Sequence, residues 1–553
     1  MIFEVSVVAV TMVLACLIVR ISTLSAMTNK NERGYRIGLF VIATAFAAVL
    51  VFRIGSFPNV FLDEGDGMYD SWAMAKFGGV DSNLIKYPVY LEGFSGQGQS
   101  VLYAYLAGLF MKVFGYSLTV FRLPLVIISI ATLLVLISVA LKVTTPKTAF
   151  WAALVMATSP WLIVVSRYGM DCNIAPFMAM LGSTIIYYGV KQDQSKRKIG
   201  WLTLGFLVLG LVTYSYNVGW IFLPVYLLSL LLFLVLGRKE KLRNLIIPVV
   251  ALFIEVLPIL IFAVRSNIPA LNKTVRILFW TSPKLQVGRV NTSFISFNGN
   301  IGENILRNLY AGAKMFILGT DKLPWNSVAN FGPYYLFTFP FVIWGLIIVF
   351  KRRSLVDQFV ISQLIGMVLI VLLVTPNYNH WIFLHFANLT LIVIAIVDVT
   401  NRYREFQLAL LLTYVISASA FVGAYFYYPR YTGWDVSAME TIKELKPLRY
   451  KHVYFTSSDP NFLYGVRTAV PVSPYEFQKT KDNPYSKTKL LTLNNYANFT
   501  RLENNTTVTK DSLLIMQDDT VANYGKQVKG CKKIGSFAVS LPYSVIKYEV
   551  YKK

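Results

Sequence analysis

Charge is scarce in this chain. Only 14% of its 553 residues are Asp, Glu, Lys or Arg, whereas 55% are hydrophobic, with a mean hydropathy of +0.54. A soluble globular protein carries about a quarter charged residues, so that class is excluded and a polytopic membrane protein is implied. Acidic residues are the scarcer sign, 28 against 52 basic ones, which leaves a net charge of +24. Such a balance suits anionic lipid, once topology has placed the charges. Cysteine is rarer still. Cys16, Cys172 and Cys531 are widely separated and form no CxxC pair, which argues against a disulfide framework and against cysteine-held metal. The first apolar run, Ile2 to Ile21, lacks a basic leader and a small-residue cleavage site, so it reads as a span rather than a removed signal. Internal repeats and low-complexity segments are absent.

Apolar runs of spanning length lie near residues 2–22, 37–55, 122–142, 148–166, 174–190, 200–216, 218–236, 245–264, 333–350, 359–375, 380–398 and 407–428. Basic clusters mark alternate connections, among them Lys196 to Lys198, Lys239 to Arg243 and Lys351 to Arg353. By the positive-inside rule these connections are cytoplasmic. The stretches 53–121 and 265–332 and the tail from Pro429 then face outward. The chain therefore divides into a membrane domain, 1–428, which includes both outer loops, and an extracytoplasmic soluble domain, 429–553. In the first outer stretch, Ser100 to Phe114 is apolar but short for a span and reads as a helix in the interface. The tail has β-type runs at Lys451–Thr456 and Tyr543–Tyr551 and a helix at Ser437–Leu445, the pattern of a small α/β domain.

Four carboxylates, Asp63, Glu64, Asp66 and Asp70, follow the second apolar run. Ionisable groups beside hydrocarbon must be solvated, paired or used in chemistry. Asp66 and Asp70 are spaced i, i+4 and read as exposed or as charges at a helix start.

The ordered series Asp63-Glu64, Tyr69, Ala73, Gly78, Asp81, Pro88, Gly93, Leu102-Tyr103, Phe114-Gly115 and Arg122-Leu123-Pro124, continued by Ser159-Pro160-Trp161, Ser166-Arg167-Tyr168 and Asn173, resembles bacterial GT-C glycosyltransferases. These are related to the protein O-mannosyltransferases and the lipid A aminoarabinose transferase. The resemblance covers roughly residues 60–220 and departs at Gly65, where many relatives carry Ala and where a looser turn is expected. It implies a GT-C-like fold with about 12 transmembrane helices and a small C-terminal α/β domain, in a bacterial multi-pass protein of the cell membrane. It also implies transfer of a sugar from a polyprenyl-phosphate donor to a glycan, lipid or protein acceptor on the outer face, with inversion, without a cofactor and without nucleic acid. A carboxylate within hydrogen-bond reach can remove the proton of an acceptor hydroxyl as the new bond forms. Asp63 is assigned that role and Glu64 the orientation of acceptor or base. The leaving lipid phosphate requires cations; the outward candidates are Lys86, Arg122, Arg167, Arg265, Lys273 and Arg276, of which the first four are assigned to it. Arg122 and Arg167 alternatively snorkel to headgroups.

Tyr69, His380 and His385 are candidates for acceptor or sugar contacts. The two histidines have the spacing to share one face of a helix; polar packing is the alternative, and no metal is assigned. In the tail, Lys479, Lys481, Tyr485, Lys487 and Lys489 form a basic and aromatic run suited to an anionic or glycan acceptor, or to solvent. The rival class is a transporter or flippase of envelope glycans, which places ionisable groups at mid-span. Here Glu255 is the conspicuous intramembrane charge.

Overall fold

The computed structural model describes residues 2–21, 27, 29–93, 96, 98–237, 239–286, 293–328, 331–427, 433–480, 495–541 and 544–553. Two compact units emerge. One joins Met1–Ile54, Leu123–Ile261 and Val290–Tyr428; the other joins Gly55–Arg122, Phe262–Arg289 and Pro429–Lys553.

The first unit is helical. Among the described residues ten helices are long and apolar enough to cross a membrane: Ile2–Val19, Lys30–Val51, Leu118–Val143, Asp171–Val190, Ser195–Ser215, Gly219–Leu236, Leu242–Asn267, Leu355–Leu373, Ile382–Arg402 and Phe406–Tyr427. The chain is therefore a multi-pass membrane protein. Two of the twelve expected runs make shorter helices. Run 148–166 splits into Pro146–Ala157 and Pro160–Val165, because Pro160 has no N–H to continue the ladder and Ser159 caps the second piece through its Oγ. Run 333–350 gives Phe339–Arg352, 14 residues, about 21 Å at 1.5 Å per residue and short of a hydrocarbon core about 30 Å thick.

Local chemistry sets other ends. Asn29 caps Lys30–Val51 by accepting from the N–H groups of Asn31 and Glu32. Ser354 and Asp357 exchange side-chain and backbone bonds at the start of Leu355–Leu373. Helices Ala175–Val190 and Ser195–Gly210 approach closely enough that a Cβ on Gly205 would stand 2.5 Å from Ile186 Cγ1, the small-residue contact by which membrane helices pack without a hydrophobic drive between them.

The second unit is α/β. Its sheet has six strands in the order Asn495–Tyr496, Phe499–Arg501, His452–Phe455, Ser512–Gln517, Ser544–Lys552 and Lys532–Leu541. His452–Phe455 runs parallel to both neighbours; the other pairings are antiparallel. The strands His452–Phe455 and Ser544–Lys552 and the helix Val436–Glu444 lie where hydrophobic periodicity places them. Tyr454, Leu502, Leu514, Met516 and Tyr551 form one side of the core. The helix Leu102–Phe114 likewise falls on the apolar run of the first outer stretch.

The division expected at residue 428 follows chain order, whereas packing groups the first outer stretch and the start of the second, up to Arg289, with the tail and leaves the rest of the second in the membrane unit. The reason is side-chain bonding across several hundred residues: Tyr69 Oη donates to Val472 O at 2.8 Å and Tyr116 Oη to Thr468 O at 2.6 Å, and a bridge joins Val60 to Trp434. Of the basic and aromatic run in the tail, Lys479 ends the helix Pro474–Thr480, and Lys481, Tyr485, Lys487 and Lys489 lie outside the described residues.

Candidate active site

The acidic segment forms a continuous helix, Leu62–Lys76, with Asp63 and Glu64 in its first turn. There the unpaired N–H groups and the helix dipole favour negative charge. Gly65 does not loosen this turn. It is helical, and a Cβ in its place would stand 2.7 Å from Thr468 Oγ1, so the glycine admits the tail helix Phe462–Ala469.

The helix sorts its four carboxylates by direction. Asp63 is exposed, and the backbone carbonyl beside it is held by Gln99 Nε2 at 3.0 Å. Glu64 points the other way and is wholly buried. Arg122 meets it as a fork, Nε to Oε1 at 2.7 Å and Nη2 to Oε2 at 2.6 Å, and spends its remaining donors on Pro58 O at 2.9 Å and Asn59 O at 3.4 Å. Glu64 and Arg122 are thus committed to each other. The roles expected for them, orienting the acceptor and gripping phosphate, fall away because neither side chain reaches solvent.

Asp66 and Asp70, expected at the surface, are buried as well. Asp66 pairs with the buried Arg467, whose guanidinium also lies 4.4 Å from the centre of the Tyr69 ring. Asp70 accepts from the Ser82 N–H at 2.7 Å. Asp81 accepts from the N–H groups of Asn83 and Ile85. Burial, and then the neighbouring Asp66, push the Asp70 carboxyl up to about 7; burial, and then Asp70, raise Asp81. An acid whose folded value is raised stabilises the fold below its unfolded value, and that contribution is lost as pH climbs through the folded one. Thermal unfolding should therefore show the second unit losing stability from about pH 4 to pH 7, by at most about 1.4 kcal/mol per pH unit for each proton released. Asp70→Asn should flatten that slope; an unchanged slope would show that Asp70 does not carry the proton.

The other expected ligands divide between the units. Arg167, in the membrane unit, is buried and donates from Nη1 to Val49 O and Leu50 O, at 2.7 and 2.5 Å, and from Nη2 to Phe52 O at 2.7 Å. A cation there closes the C-terminal end of Lys30–Val51, where unpaired carbonyls carry partial negative charge, and it lies 4.8 Å from the Phe426 ring centre. It is therefore a helix cap rather than a phosphate ligand.

Tyr69 is buried with its hydroxyl on Val472 O, so it supports the tail and offers no face to an acceptor. His380 precedes the first turn of Ile382–Arg402, so it does not share a helix face with His385; its Nδ1 lies 2.7 Å from Thr375 O. His385 is buried between Tyr334 Oη at 2.8 Å and Tyr378 O at 3.2 Å, with Trp161 packed on its ring, which is polar packing. Among the described residues no three His, Cys, Asp or Glu side chains are grouped to hold a metal ion.

Two cations remain at accessible positions, both in the second unit. Lys86 is exposed and rests 5.4 Å from the Tyr87 ring centre. Its segment is fixed by the hairpin of Val275–Ile277 and Trp280–Ser282, because Thr281 Oγ1 donates to Lys86 O at 2.6 Å. Arg265 ends the helix Leu242–Asn267 and is half-buried. Its Nε finds no hydrogen-bond partner among the described residues, and its Nη2 lies 3.5 Å from Lys273 O.

Sequence reasoning missed Arg467 and the burial of Asp66, Asp70 and Asp81. Asp66 and Arg467 stand 401 residues apart, and no local pattern signals such a pair.

Known proteins agree with this architecture. Residues 99–263 match the family model described as dolichyl-phosphate-mannose-protein mannosyltransferase. The crystal structure of ArnT from Cupriavidus metallidurans bound to undecaprenyl phosphate is similar over 93% of this chain and 98% of that one, with 13% identity and a TM-score of 0.55. Its apo state gives 11% identity and a TM-score of 0.51 over the same shares. Archaeal oligosaccharyltransferase AglB from Archaeoglobus fulgidus, in complex with an inhibitory peptide and a dolichol phosphate, has 13% identity and a TM-score of 0.49, over 78% of this chain and 63% of that one. No curated protein matches the chain. The fold is GT-C-like, that of the ArnT structures, and residues 99–263 carry a sequence likeness to the mannosyltransferase family.

Proposed function

We propose that this protein is a glycosyltransferase of the bacterial cell membrane that moves a sugar from a polyprenyl-phosphate carrier to an acceptor of the cell envelope on the extracytoplasmic face, with inversion. The observation that carries the reading is the sorting of the acidic helix. Glu64, Asp66 and Asp70 are buried, and Asp63 is the carboxylate of the four presented to solvent. An exposed carboxylate at a helix start is placed to take a proton from an acceptor hydroxyl as the sugar–phosphate bond breaks. ArnT was crystallised with undecaprenyl phosphate, a lipid of the class proposed here for the donor.

The departing phosphate gathers charge, and Lys86 and Arg265 are its proposed ligands. Both lie in the same unit as Asp63; Lys86 is exposed beside the Tyr87 ring, and Arg265 is half-buried with its Nε closed off from solvent. Gln at either position should weaken donor binding by about 10-fold or more, since a charge-assisted contact is worth about 1.5–3 kcal/mol. Titration of the purified protein with polyprenyl phosphate reads this directly, and unchanged affinity in both variants would move the phosphate elsewhere.

The reading as a whole is tested in cells lacking the gene. An envelope glycan decoration should disappear while a lipid-linked sugar accumulates, both restored by the wild-type gene and not by Asp63→Asn. An unchanged set of envelope glycans and lipid-linked sugars would refute transferase activity.

A further inference from the structure

The membrane unit holds a cavity of about 160 Å³ that the proposed transfer does not use. Its wall comes from the helices Leu118–Val143, Pro146–Ala157, Ala175–Val190, Leu355–Leu373 and Ile382–Arg402, and it is almost wholly apolar, with Val139, Ala140, Ala152, Phe359, Val360 and Phe386 among the lining residues. The hydroxyls of Ser183 and Thr184 are already bonded, to Tyr226 Oη at 2.8 Å and Met180 O at 2.7 Å, and the lining Gln363 keeps an Oε1 without a partner among the described residues. Such a wall offers a hydrocarbon chain contact and offers water few partners.

One end of the cavity coincides with helix termini. Val143 and Thr144 close Leu118–Val143, Tyr187 lies in the last turn of Ala175–Val190, and Val356 lies in the first turn of Leu355–Leu373. That end is basic. Lys191 Nζ lies 5.9 Å from the Tyr187 ring centre and Lys142 Nζ 5.1 Å from that of Tyr188. Both lysines are exposed, and neither forms an ion pair among the described residues. Arg352 is committed to the carboxylate of Asp357 through Nε at 2.9 Å and Nη2 at 2.7 Å.

We propose that this cavity and its two lysines form a binding site for an anionic glycerophospholipid, with one acyl chain in the cavity and the phosphate against Lys142 and Lys191. Charge complementarity selects the occupant. A zwitterionic lipid fills the apolar part equally well but presents its own cation to the lysines. The donor carrier is also an anionic lipid, but its proposed phosphate ligands, Lys86 and Arg265, belong to the other unit.

The test uses the full-length protein, delipidated in detergent and titrated separately with dioleoyl phosphatidylglycerol, dioleoyl phosphatidylcholine and undecaprenyl phosphate, with bound lipid counted by native mass spectrometry. Phosphatidylglycerol should bind with 1:1 stoichiometry and at least about 10-fold more tightly than phosphatidylcholine. Each basic residue at an anionic lipid surface accounts for about fivefold in binding, so Lys142→Gln with Lys191→Gln should weaken phosphatidylglycerol about 25-fold and leave phosphatidylcholine unchanged. Ala152→Phe, which fills the cavity, should weaken both. The lysine variants alter only exposed side chains, so they decide the matter even where the cavity variant fails to fold. Equal binding of the two phospholipids, wild-type affinity in the double lysine variant, or displacement of phosphatidylglycerol by equimolar undecaprenyl phosphate would each overturn the proposal.

Discussion

Asp63→Asn should leave a folded, inserted protein whose turnover is lower by about 10²–10⁴-fold, the range for a lost general base. The substitution removes a charge from an exposed position at a helix start, where the stability cost is about 0.3–1 kcal/mol. Activity and folding are therefore separable at this residue. They are not separable at Asp66, since Asp66→Asn leaves the buried Arg467 without its carboxylate and should lower activity by unfolding the second unit. The measurement is transfer per folded molecule, with melting temperature as the control. Donor affinity should remain near the wild-type value, because the proton moves after the donor is bound. Wild-type turnover in a well-folded Asp63→Asn protein would refute the assignment.

Much of the membrane fold is legible in the sequence because a span is a local pattern. About twenty apolar residues between polar ends make a helix irrespective of what packs beside it, and ten of the twelve expected runs became helices of that length. The two exceptions, the break at Ser159-Pro160 and the short helix Phe339–Arg352, turn on a proline and on length, both of which local chemistry explains after the fact. The tail was legible for a similar reason: strand Ser544–Lys552 alternates exposed and buried over most of its length, and His452–Phe455 is a short run of β-branched and aromatic residues.

The site was less legible. A charge in sequence carries no sign of its direction, and helix Leu62–Lys76 turns Asp63 outward while turning Glu64, one residue on, inward. Arginines at span ends read alike as phosphate ligands, whereas Arg122 and Arg167 are consumed by partners 58 and 118 residues away. Buried polar groups must be satisfied, and the chain recruited its most polar side chains to do so. Lys86 and Arg265 remained candidates because their surroundings do not consume them.

Arg122→Met should be severely destabilising, by about 3–5 kcal/mol, the cost of leaving one partner of a buried ion pair without the other. Glu64 is wholly buried, and no water reaches it to replace the guanidinium. The same change also releases Pro58 O and Asn59 O, which anchor the approach to helix Leu62–Lys76, so Asp63 would lose its placement together with its support. Glu64→Gln alone should be destabilising too, because the arginine then stays buried with a neutral partner. The double change, Glu64→Gln with Arg122→Met, should cost less than the sum of the two, since residues in one buried network couple strongly. Denaturant unfolding of the four proteins yields that coupling. Donor titration at a temperature where Arg122→Met remains folded separates the structural role from phosphate binding: affinity should be unchanged. A variant with wild-type stability and donor affinity lower by 10-fold would show instead that Arg122 leaves Glu64 to meet the phosphate, and that helix Leu62–Lys76 rearranges when the donor binds.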